Sequence, residues 1–140
     1  MKKKIIIFTL IVILVVFLFL FLNKRKKEET MECSNKMTMV GSDAEVLYVF
    51  EGVNGIATKQ NLFVKLYMTD ESLIQEYQNI MKDNSECGGF EIHSDYISYD
   101  CYYDLVKEKY YEDLENSDGE LLLEALKKDF ENDNYVCVYK

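Results

Sequence analysis

The sequence predicts an α+β fold: an N-terminal transmembrane helix followed by an antiparallel sheet, in the order β-β-β-α-β-β-α-β, with helices packed on one face. Three observations predict it. Residues 5–22 read IIIFTLIVILVVFLFLFL, an apolar run in which Thr9 is the one polar member. Downstream, apolar residues alternate at a spacing of two around Asn54-Gly55, the mark of a β-hairpin. Two later stretches, near Leu73 and Leu122, carry apolar residues at helical spacing.

The apolar run comes first. A helix of eighteen residues covers about 27 Å, close to the roughly 30 Å hydrocarbon core of a bilayer. The run is long for a cleaved signal, and Phe21-Leu22-Asn23-Lys24 offers no small-x-small cleavage site. Cys33 follows Thr30-Met31-Glu32, so no lipobox precedes it. The division is therefore 1–4 basic cytoplasmic tail, 5–22 transmembrane helix or signal-anchor, 23–32 charged linker and 33–140 extracytoplasmic α+β domain. Charge leaves the orientation nearly tied, with Lys2, Lys3 and Lys4 before the run and Lys24, Arg25, Lys26 and Lys27 after it. The short leading tail and the downstream cysteines favour the N-terminus inside and the domain outside.

Charge is split along the chain. Residues 28–140 hold nine basic residues against all twenty-five acidic ones, a net of −16. Such a domain is repelled by nucleic acid, which excludes that class of partner. An envelope protein or a cationic ligand remains compatible, beside the membrane contacted through 5–22. No CxxC or Cys/His spacing suggests a metal, and no cofactor motif is visible.

From Cys33 the elements follow in order. Lys36–Val40 is a short strand, broken by Gly41-Ser42-Asp43. Ala44–Phe50 and Ile56–Met68 form the hairpin about Asn54-Gly55, which places Phe50 near Lys59 and Val46 near Phe63. Thr69 or Asp70 caps a helix whose stripe is Leu73, Ile74, Tyr77, Ile80 and Met81. A second hairpin pairs Phe90–His93 with Tyr96–Leu105, turning at Ser94-Asp95. Lys107–Leu114 is a short helix. Ser117 and Glu120 have capping-box spacing ahead of a helix with Leu122, Ala125, Leu126 and Phe130, and Tyr135–Tyr139 is the closing strand.

The four cysteines read as two disulfides, with three connectivities open. A turn at Ser94-Asp95 sets Cys101 opposite Gly88, one residue from Cys87, so Cys87–Cys101 is preferred. Elimination then pairs Cys33 with Cys137 and ties the first strand to the last.

Few residues suggest chemistry. His93, two residues from Asp95, has no nucleophile pattern beside it, so no catalytic residue is assigned. Glu115–Gly119 has some features of a calcium loop. The alignment puts Leu114 and Ala125 where the first and last acidic ligands belong, and the capping reading explains Asn116 and Asp118 as well. Tyr96, Tyr99, Tyr102, Tyr103, Tyr110 and Tyr111 could form a ligand patch; Tyr99, Cys101 and Tyr103 share one strand face and Tyr102 takes the other.

Several pieces together resemble a known family. They are a Cys near the start, the Met/Thr-rich strand, the arm beginning Ile56-Ala57-Thr58-Lys59-Gln60, a helix, a hairpin ending Tyr103-Asp104-Leu105, and the end Lys127–Glu131 with Tyr135-Val136-Cys137. The stretch 33–140 is similar to the YehR-like family of small bacterial envelope lipoproteins, although the lipobox is missing. The resemblance implies an α+β domain held at the outer face of the membrane, and no known catalytic residues. The expected function is a membrane-anchored extracytoplasmic binding or scaffolding domain without catalysis. The alternatives are an envelope enzyme with an unrecognised site and a cytoplasm-facing, membrane-tethered regulator.

Overall fold

The computed structural model describes residues 11–18, 21, 26–39 and 41–140. The described residues form a six-stranded antiparallel sheet from β1 (Glu28–Met39), β2 (Ser42–Val53), β3 (Ile56–Leu66), β4 (Cys87–Ile92), β5 (Ile97–Asp104) and β6 (Val136–Tyr139). Helix α1 (Glu71–Asp83) joins β3 to β4. A 3₁₀ turn (Glu112–Leu114) and helix α2 (Leu123–Asn132) join β5 to β6. The spatial order β4-β5-β3-β2-β1-β6 sets the last strand beside the first.

The transmembrane expectation is corrected here. Residues 11–18 and Phe21 are helical. Among the described residues no helix is long and apolar enough to cross a membrane. The rest of the 5–22 reading, apart from Phe21, lies outside the described residues. The linker assignment changes too. Glu28–Glu32 is already strand, Glu28 pairs with Val53, and Met31 is fully buried.

The β2–β3 hairpin turns on Asn54 (φ 53°) and Gly55 (φ 81°), a type I′ pattern that needs the left-handed region at both positions. Its register differs by one residue from the sequence reading: Phe50 faces Gln60 and Val46 faces Val64. The cause is a bulge between Glu51 and Gly52, which inserts one extra residue on β3. In this register Ala44, Val46 and Phe50 share the buried face with Val64 and Leu66. A slip by one would turn one strand's apolar set to solvent.

Both helices pack on that same face. Asp70 caps α1 by accepting from the N–H groups of Ser72 and Leu73, which holds its carboxyl below the usual carboxylate range, led by the Ser72 side chain. Leu73, Ile74, Tyr77 and Met81 of α1 pack on a cluster built from Ala44, Val46, Val64, Leu66, Ile97 and Tyr99. Leu123, Leu126 and Phe130 of α2 join Met31, Cys33 and Phe50 in a second cluster, bridged to the first by Tyr48, Tyr103 and Tyr135.

The capping box does not form. Asn116 accepts the N–H groups of Asp118 and Glu120, and Leu121 and Leu122 make isolated bridges to Glu115 and Ile56. With those backbone groups occupied, the helix begins only at Leu123, and Leu122 provides no side-chain cap.

Candidate binding surface on the open sheet face

The four cysteines lie in one row across the sheet. Reading from edge to edge, the row is Cys137, Cys33, Tyr48, Leu62, Cys101 and Cys87. Cys33 is bonded to Cys137 and Cys87 to Cys101, with Cα separations of 4.1 and 3.9 Å. Such close opposed pairs are the non-hydrogen-bonded positions of an antiparallel ladder. Each disulfide staples an edge strand to its neighbour. In the second hairpin the irregularity between Gly88 and Glu91 moves Cys87 directly opposite Cys101, one position from where the simple turn reading puts it.

The tyrosines do not form one patch. Tyr99 is buried under α1, and Tyr111 donates its hydroxyl proton to the buried Gln60 side chain. Tyr110 lies at the surface and bonds Glu86, which pushes its phenol up to about 12. Tyr102 projects from the opposite face, 45 % exposed. His93 is exposed on the turn, 3.3 Å from Glu91 and stacked on Tyr96 at 4.2 Å. The Asn116 oxygen is committed to two backbone donors and its amide donates to Glu120, so the loop is an Asx turn closed on itself. No group of three or more metal-ligating side chains occurs among the described residues.

Among the described residues no helix packs on the other face of the sheet, and that face carries a trough of about 720 Å³. This lies within the roughly 300–1,000 Å³ range of ligand clefts. Two cross-strand rows line it. One runs Val136, Ser34, Leu47, Phe63 and Asp100; the other runs Lys36, Glu45, Lys65, Ser98 and Glu91. The first row supplies an apolar floor, since Phe63 is 44 % and Val136 67 % exposed. The second row forms a charged wall. Lys36 sits 3.1 Å from Glu45 and holds its carboxyl below the usual range. Lys65 lies over the Tyr96 ring at 4.0 Å, and its ammonium is held above the usual lysine range, chiefly by a hydrogen bond with Tyr67.

Sequence reasoning did not single out this surface. Its apolar members come from three strands, and each looks like an ordinary strand residue in isolation. The signal that could have found it is the odd-numbered set of β2: Leu47 and Val49 are apolar at positions that should be polar if that face were only solvated.

A sheet covered by helices on one face, bare on the other, and stapled at both edges defines a two-layer α+β domain. A solved structure of the same architecture is the NMR structure of the E. coli YehR protein. The two match with a TM-score of 0.54 at 14 % sequence identity, over 81 % of this chain and 93 % of that one. At that identity the likeness is one of fold. No protein-family model matches the chain, and no curated protein matches it.

Proposed function

We propose that this chain is a binding or scaffolding module of the bacterial cell envelope, working outside the cytoplasm without catalysis and binding through its open sheet face. The observation that carries the reading is the bare trough over the central strands. An antiparallel sheet can leave one face to water, but that face is then ordinarily polar. Here Leu47, Phe63, Val136 and Val138 sit on it within a charged surround. Exposed apolar surface rimmed by charge is the usual mark of a binding site.

Two features support the compartment. All four cysteines are in disulfides, which persist in oxidising surroundings. The family resemblance read from the sequence also points to the envelope. The test is the intact mass of the full-length protein from its native host, with thiols blocked in the living cell. An extracytoplasmic protein carries no blocking group until it is reduced and then takes up four, one per cysteine. Blocked cysteines before any reduction would refute the placement.

A further inference from the structure

The charges around the trough are not evenly satisfied. Lys36 and Glu45 neutralise each other, and Lys65 is drawn toward the Tyr67 and Tyr96 rings. At the β4–β5 end the acids have less. Among the described residues Glu91 has one ion-pair partner, His93, at 3.3 Å. The Asp100 carboxylate makes no hydrogen bond or ion pair among the described residues; its backbone belongs to the sheet ladder. It stands above Gly89, whose missing side chain leaves it that space: a Cβ there would fall 2.0 Å from the Asp100 Oδ1. The floor next to Asp100 is Phe63 and then Leu47. The site therefore joins an apolar run to a free carboxylate.

The geometry points to a basic, apolar-anchored polypeptide segment of another protein as the occupant of this trough. Its aliphatic or aromatic side chains would rest on Leu47, Phe63 and Val136, and its lysine or arginine would face Asp100 and Glu91. The trough crosses a six-stranded sheet, and at about 4.8 Å per strand its full span is roughly 24 Å. That length suits a peptide segment better than a small solute. Charge complementarity selects the sign, because residues 28–140 carry a net charge of −16 and draw cationic partners toward them. The same charge opposes a second copy of this chain.

This inference rests on the open face being the binding surface, and its test separates the two. The probe is a fluorescent peptide in which lysine alternates with leucine and phenylalanine, titrated into the full-length protein and read by anisotropy. Analogues with glutamine or glutamate in place of lysine accompany it. The lysine peptide binds, the glutamate analogue does not, and the glutamine analogue is weaker. Phe63→Ser and Asp100→Asn each weaken the lysine peptide about tenfold or more. Both side chains are exposed, so both variants fold, which circular dichroism checks. Asp113→Asn, an exposed acid outside the trough, leaves affinity unchanged.

An equal loss in Asp113→Asn would reduce the effect to net charge and overturn the inference. So would a lysine peptide that fails to bind. A glutamine analogue that binds as tightly, still sensitive to Phe63→Ser, would overturn the cationic specificity while leaving the open face as a binding surface. A dimer in sedimentation that Phe63→Ser dissolves would give the trough to a second copy instead.

Discussion

A Cβ added at Gly52 would stand 2.7 Å from the Ile56 carbonyl oxygen and 2.8 Å from a Leu123 methyl carbon. Gly52 is buried beside the bulge, where β2, β3 and the first turn of α2 meet. The neighbouring carbonyl belongs to a hairpin that cannot retreat: Leu123 donates its N–H to Gly55, and Ala57 donates to Leu121. Gly52→Ala therefore forces a backbone shift, with an expected loss of about 1–3 kcal/mol in urea unfolding. Gly88→Ala is the control. No atom lies within 4 Å of its added Cβ, so its stability should change by no more than about 0.5 kcal/mol. Equal losses would mean that the close approach at Gly52 is relieved by small shifts of its neighbours. The sequence shows the turn at Asn54-Gly55, where both residues take positive φ. The packing role of Gly52 was not legible, because Leu123 reaches it from far along the chain.

At the scale of elements, the disulfides act where hydrogen bonding is thinnest. β6 is four residues long and pairs with Met31–Ser34 alone, and β4 pairs with β5 through an interrupted ladder. The bonds close loops of very different size, with sequence separations of 104 and 14. In the chain-entropy account, loops of about 100 and about 15 residues correspond to roughly 4.7 and roughly 3 kcal/mol. Removing Cys33–Cys137 as a double Ala variant should thus cost more than removing Cys87–Cys101, by about 1–2 kcal/mol in denaturant unfolding. The reverse order would show that native packing at Cys87, not loop length, sets the difference. The sequence made the helices and strands legible through period and turn residues. It missed by one residue wherever a bulge intervened, since a bulge leaves no mark in an alternating pattern. It placed the α2 start too early because Ser117 and Glu120 matched a local motif, whereas Asn116 and the bridges from Leu121 and Leu122 claimed the same backbone groups. The open-face trough was illegible for a related reason: its floor assembles only once β6, β1, β2, β3 and β5 have their spatial order.

The whole molecule should announce its tyrosine core at alkaline pH. Burial pushes Tyr135 up to about 12 and raises Tyr48, Tyr99 and Tyr111 as well, and nearby phenols add to the rise for all but Tyr48. In the unfolded chain each would ionise near about 10. The folded state thus favours the neutral phenol, and each group's contribution is fully present below about pH 10. The contribution fades as pH climbs from there through the raised folded values, so stability falls on the alkaline side. Of these, Tyr48 and Tyr135 bridge the two clusters, Tyr99 sits within the α1 cluster and Tyr111 packs against the α2 cluster, so ionising them loosens the contacts that make the two clusters one core. Tyrosinate absorbance followed together with circular dichroism should resolve two stages. The first stage leaves the fold intact. The buried set follows late and steeply, coincident with loss of the sheet signal. If all eleven tyrosines instead titrate together near about pH 10 with the fold preserved, the tyrosine bridge between α1 and α2 is open to water and the domain is not held by one core.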